Sequence, residues 1–88
     1  MSDLVVPSLV DEGTAEFFES AARDRHPGVG QILRFFAWAH LPAHLQAISR
    51  PVGDLATEMV SHLPDGPELT AGLRKLLEAK DCFVRANV

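Results

Sequence analysis

Apolar residues recur at three- and four-residue intervals over most of the chain, the spacing that lines one face of an α-helix. One stripe runs Val29, Ile32, Leu33, Phe36 and Ala37 and predicts a helix to about His40, with Phe35 and Trp38 off the stripe. A second comprises Val52, Leu55, Ala56, Met59, Val60 and Leu63, and a third Leu69, Leu73, Leu76, Leu77, Phe83 and Val84. Nearer the start, Thr14 is a candidate cap for a shorter helix to about Asp24, with Phe17, Phe18 and Ala21 on one side. The first thirteen residues contain Pro7, Gly13 and little periodicity, and read as an arm or strap.

Proline and glycine divide these stripes. Arg25-His26-Pro27-Gly28 predicts a turn, and Leu41-Pro42 breaks the first stripe. Pro51 suits the first turn of a new helix capped by Ser49 or Arg50; a continuous, kinked helix from Pro42 to Leu63 is the alternative. Asp65-Gly66-Pro67-Glu68 reads as a helix start, with Asp65 as cap and Glu68 closing a capping box. The short link Pro64-Asp65 between two amphipathic helices predicts antiparallel neighbours. The expected fold is therefore all-α: an αα-hairpin preceded by one or two shorter helices. Residues 1–28 form an acidic N-terminal arm with a short helix, and residues 29–88 the helical hairpin domain. Two helices bury one face each, so the remaining apolar surface needs a cover. The helix at Val29 to Ala39 can do part of that within one chain; Ala56, Ala71, Gly72, Ala79 and Ala86 also leave room for close helix approach, including between chains, and a homo-oligomer is expected, with a monomeric three- or four-helix bundle as the alternative.

Composition narrows the function classes. Eighty-eight residues make one small domain with a marginal core of its own. A single cysteine, Cys82, excludes a disulfide-stapled scaffold. No apolar run approaches the ~20 residues of a membrane span, and the acidic start MSDLVVPSLVDEGT is unlike a signal peptide, so a cytosolic location is expected. The net charge of −4 sits entirely in residues 1–28, which carry six acids and two bases; the rest has six of each. A neutral body has no basic stripe for duplex nucleic acid. It still has bases enough for a small anion.

Candidate chemistry is sparse. His40 and His44 have an i, i+4 spacing, but Pro42 stands between them and no third ligand is nearby, so no metal site is expected. Cys82 has no base or oxyanion site in its sequence context, Ser49 lacks a G-x-S-x-G setting, and no phosphate-binding glycine loop or cofactor motif is present. An enzyme is not expected. Lys80 is the exception to the third stripe, standing where a helix normally places an apolar residue. Either its stem snorkels along the core edge, or its ammonium enters a subunit seam or an anion pocket. Arg34, Phe35, Phe36, Trp38, His40 and Arg50 combine π-faces with cations, the groups that a phosphate-bearing heteroaromatic ligand requires. The plainer reading makes Phe36 core and Trp38 an interface cover.

The stretch PGVGQILRFFAWAHLPAHLQAISRPVGDLATEMVSHLPDGPELTAGLRKLLEAKDCFVRA resembles the small helical-hairpin sponge proteins of bacteriophages. These sequester cyclic nucleotide messengers of bacterial defence; they comprise the anti-CBASS sponges and relatives that oppose Thoeris. The likeness covers about residues 27 to 86 and is close to actinobacterial phage and prophage proteins of this length. It rests on R-F-F-A-W-A-H-L-P, the S-R-P start of the first hairpin helix, and the second helix from P-D-G-P-E-L to F-V-R-A. The resemblance implies a homohexamer of hairpins in the host cytosol that binds cyclic di- and trinucleotides between protomers without cleaving them. It places Phe36 on a base and Arg50 on phosphate, with Ser49 and His40 as supporting donors; Arg34 and Lys80 are further candidate contacts on the reading of the residues themselves. The family's usual tyrosine is absent, and Phe36 would keep the π-face without the hydroxyl. A helical protein-interaction or regulatory module of a phage is the other function class.

Overall fold

The computed structural model describes residues 11–88, which contain four α-helices, one 3-10 turn and no strand. Helix α1 spans Glu12–Ala21 and α2 Pro27–Leu33; the 3-10 turn Arg34–Phe36 follows, then the long helices α3, Ala43–His62, and α4, Pro67–Ala86. The expected strap at the chain start lies largely outside the described residues.

Asp11, not Thr14, caps α1: its carboxylate accepts the Thr14 N–H at 2.7 Å. The buried face of α1 is Ala15, Phe18 and Ala22, one helical stripe, whereas Phe17 and Ala21 are exposed. This corrects the expected division of the chain at residue 28. Phe18 and Ala22 belong to the same core as Val29, Leu33, Phe36, Ala56, Val60, Leu69 and Leu73, so α1 is part of the domain. The approach of α1 to α3 depends on Gly53, because a Cβ there would lie 2.8 Å from the Phe18 ring.

The first stripe buries the expected residues in a different backbone. The helix stops at Leu33, a 3-10 turn carries Phe36 inward, and Ala37 is extended (φ −54°, ψ 142°). Side chains from α1 supply the reason. Thr14 Oγ1 accepts the Trp38 N–H at 3.2 Å, and Asp11 accepts the His40 N–H at 3.2 Å, so these backbone donors are satisfied outside a helix. Partial burial works to raise the Asp11 pKa. The bonds from Thr14 and His40 outweigh it and hold the carboxyl well below its usual range.

Helix α3 runs unbroken through Pro51, the continuous alternative. Pro51 and Ala47, whose carbonyl loses its helical donor, are both exposed, so water can satisfy that carbonyl. Helices α3 and α4 pack antiparallel as the expected hairpin, with Asn87 Nδ2 at the end of α4 donating to the His44 carbonyl at the start of α3, 3.3 Å. Leu55, Leu63 and Phe83, assigned above to the apolar stripes, are exposed.

The expected capping box at Asp65 is absent. Gly66 is the N-cap of α4 and makes no side-chain cap bond. Asp65 instead reaches back across the fold, accepting from Arg25 Nε at 2.9 Å and from the His26 N–H at 2.9 Å. Arg25 also donates to the carbonyls of Val60 and Leu63, so one side chain ties the first turn to the end of α3. The His26 N–H, with the Arg25 guanidinium beside it, holds the Asp65 carboxyl below the usual carboxylate range. No helix among the described residues is long and apolar enough to cross a membrane.

Candidate functional site

The segment after α2 exposes what its periodicity leaves out. Phe36 takes the buried stripe position and is fully inaccessible, its ring 6.4 Å from that of Phe18. This corrects the assignment of Phe36 as the stacking face: both faces of the ring are occupied by core. Its neighbour Phe35 projects the opposite way and is 42% exposed. Phe35 flanks two depressions against α4, and the more enclosed of them, about 240 Å³, is lined by Phe35, His40 and Leu41 on one side and by Leu77, Lys80, Asp81, Val84 and Arg85 on the other.

Lys80 is the centre of this cleft. It is only 8% exposed, and a buried ammonium requires partners. Its Nζ donates to the Phe35 carbonyl at 3.1 Å and pairs with Asp81 Oδ1 at 3.0 Å. An ammonium has three donors, and these contacts engage two of them. The bond to Phe35 also fixes the backbone that presents the aromatic ring. The Lys80 ammonium is thus turned onto the Phe35 carbonyl and Asp81 at the wall of the cleft.

The other candidates divide among separate places. His40 lines the cleft, with its Nδ1 3.0 Å from Asp11 Oδ2. Arg34 is held by α1, 3.4 Å from both Glu12 and Glu19, and does not line the cleft. Ser49 is buried within α3 with its hydroxyl unpartnered among the described residues, which corrects its role as a ligand donor. Arg50 lies over the Trp38 ring at 4.5 Å from its centroid, a cation–π stack on an exposed surface, and borders a shallow depression with Gln46, Ala47, Pro51 and Asp54. Stacking restrains the guanidinium and leaves its N–H edge available. Arg50 and the cleft are thus distinct surfaces of one chain. Phe35, Asp81 and Arg85 complete the cleft; the sequence signal for Phe35 was its position off the stripe beside a stripe phenylalanine.

The arrangement offers an aromatic face, aliphatic walls from Leu77 and Val84, three basic side chains and one carboxylate. These groups suit recognition of an anionic, flat ligand. Among the described residues, no group of three His, Cys, Asp or Glu side chains converges on a possible metal position, and Cys82 is exposed beside Arg85. Fold and site together define a small all-helical protein with an amphiphilic cleft between an aromatic turn and its last helix. The chain matches no protein-family model, no curated protein and no solved structure.

Proposed function

We propose that the protein is a non-catalytic sponge that sequesters cyclic oligonucleotide messengers in the host bacterial cytosol, blocks anti-phage signalling, and works as a homo-oligomer. The observation that carries this reading is the cleft in which Phe35 stands beside His40, Lys80 and Arg85. An exposed π-face next to clustered basic side chains is what a base joined to a phosphate needs. The likeness of residues 27–86 to phage sponges supports the same class of ligand.

The cleft volume bears on assembly. At about 240 Å³ it falls below the ~300–1,000 Å³ of pockets that enclose a whole drug-sized molecule. That volume can take a base, and the remainder of a cyclic di- or trinucleotide would have to meet a second surface. A neighbouring protomer presenting Arg50 on Trp38 would supply phosphate donors there. The apolar groove of Ile48, Pro51 and the 55% exposed Phe83 offers area for association, as a hexamer in the resembling family. Capture is stoichiometric, so protection of the phage requires a dissociation constant well below the messenger concentration.

Isothermal calorimetry against a panel of cyclic di- and trinucleotides, with mass measured by light scattering, tests the reading. The expected result is saturable heat with at least one ring and a mass of several chains. A monomer giving no heat with any ring overturns it. A second reading, a small helical interaction or regulatory module of a phage, is favoured by the exposure of Leu55, Leu63 and Phe83 on the two hairpin helices. It predicts that silent calorimetric result together with protein capture that depends on Phe83.

A further inference from the structure

The cleft contains a carboxylate, and a surface built for phosphate alone has no use for one. Asp81 lies in the lining shared by both depressions beside Phe35. Its Oδ1 is held by Lys80 at 3.0 Å, while Lys80 is anchored 3.1 Å from the Phe35 carbonyl. Aromatic ring, ammonium and carboxylate are therefore tied into one unit across two elements. The ammonium restrains the carboxylate, and Oδ2 makes no hydrogen bond among the described residues.

We propose that Asp81, held by Lys80 beside the Phe35 ring, reads the base of the captured ring nucleotide and selects guanine over adenine. The inference rests on the sponge reading given above. A carboxylate only accepts hydrogen bonds. Guanine presents adjacent donors on its pairing edge, the ring N1–H and the exocyclic amine, and a base stacked on Phe35 can direct them at Asp81. Adenine presents a ring nitrogen acceptor at the corresponding position, so its lone pair faces the carboxylate and one bond is replaced by repulsion. A polar site that pairs with its ligand's donors discriminates sharply against an analogue without them. His40 and Arg85 in the same cleft remain for the adjoining phosphate.

The test is competition calorimetry of the full chain with cyclic diguanylate, cyclic guanylate–adenylate and cyclic diadenylate, repeated with Asp81→Asn. The expected result is that the two guanine-containing rings bind about tenfold or more tightly than cyclic diadenylate, and that this ratio falls toward one in Asp81→Asn with the circular dichroism spectrum unchanged. A merely structural role for Asp81 would weaken all three rings alike and leave the ratio standing, which overturns the proposal. Equal affinities in the wild-type chain also overturn it while leaving the sponge reading intact. Silence with all three rings and with every other member of the panel overturns both.

Discussion

Gly53 and Gly72 both occupy the interior of a long helix, and the structure assigns their substitution by alanine opposite effects. In an open helix position alanine is favoured over glycine by about 1 kcal/mol. At Gly72 no atom lies within 4 Å of the added Cβ, so Gly72→Ala should keep that gain. At Gly53 the Cβ falls 2.8 Å from Phe18 Cζ and 3.4 Å from the Phe36 carbonyl oxygen. Phe18 is fully buried, with Phe17 in edge contact at 5.2 Å and Phe36 on another side, so the ring cannot swing clear. Overpacking of this kind costs about 1–3 kcal/mol, which offsets the helical gain and leaves Gly53→Ala destabilised by about 1 kcal/mol. The two variants should differ by about 2 kcal/mol, or roughly 8–16 °C in Tm for a domain of this size. Thermal unfolding followed by circular dichroism at one fixed protein concentration measures the difference. Adding Phe18→Leu to Gly53→Ala should recover part of the loss non-additively. A Gly53→Ala protein melting at or above wild type, as Gly72→Ala does, would refute the packing of α1 on α3.

Other expectations follow from individual contacts. Asp11 and Asp65 both have native pKa values below the ordinary carboxylate range of about 3.9, so both stabilise the fold above that range and lose their contribution as pH falls through it. Urea unfolding should give a nearly constant stability from pH 7 to about 5 and a decline below about 4, shallower in Asp11→Asn; an equal acid slope in that variant contradicts the assignment. Lys80→Met keeps the stem but removes the donor to the part-buried Phe35 carbonyl, and should cost about 1 kcal/mol in urea unfolding; unchanged stability would mean the bond is not made. Arg50→Ala should weaken cyclic-nucleotide binding by about tenfold or more, as loss of one charge-assisted phosphate contact implies, and alter the Trp38 fluorescence without changing the oligomer; unaltered affinity removes Arg50 from the site.

Much of this architecture was legible as periodicity, and its departures have local causes. The three long stripes produce α2 with its 3-10 extension, α3 and α4, because burying a stripe dominates a domain this small. Asp65 has the sequence of a helix cap but finds a stronger set of partners in Arg25 and the His26 N–H, forty residues away in the chain and adjacent in space. No local rule anticipates that. The helix expected to reach His40 ends at Leu33 because Thr14 and Asp11 accept the backbone donors of Trp38 and His40. Pro51 does not divide α3, since it falls on the solvent side. Within the site, the stripe that assigned Phe36 to the core was the better guide than the family likeness that assigned it a base. The same stripe left Phe35 outside, and Phe35 is the exposed ring. Lys80 was visible as a charge in an apolar position, whereas Asp81 and Arg85 acquire meaning only when α4 is set against residues 35–41.

Capture without chemistry can be measured directly. A messenger ring identified by the calorimetric panel is mixed with excess protein, the free ligand is quantified after filtration, and the protein is then heat-denatured and the released ligand analysed by chromatography and mass. Free ligand should fall in proportion to the protein added, and the intact ring should return in full on denaturation. Recovery of a linear or fragmented nucleotide, or no depletion by any ring at saturating protein, would contradict capture without chemistry.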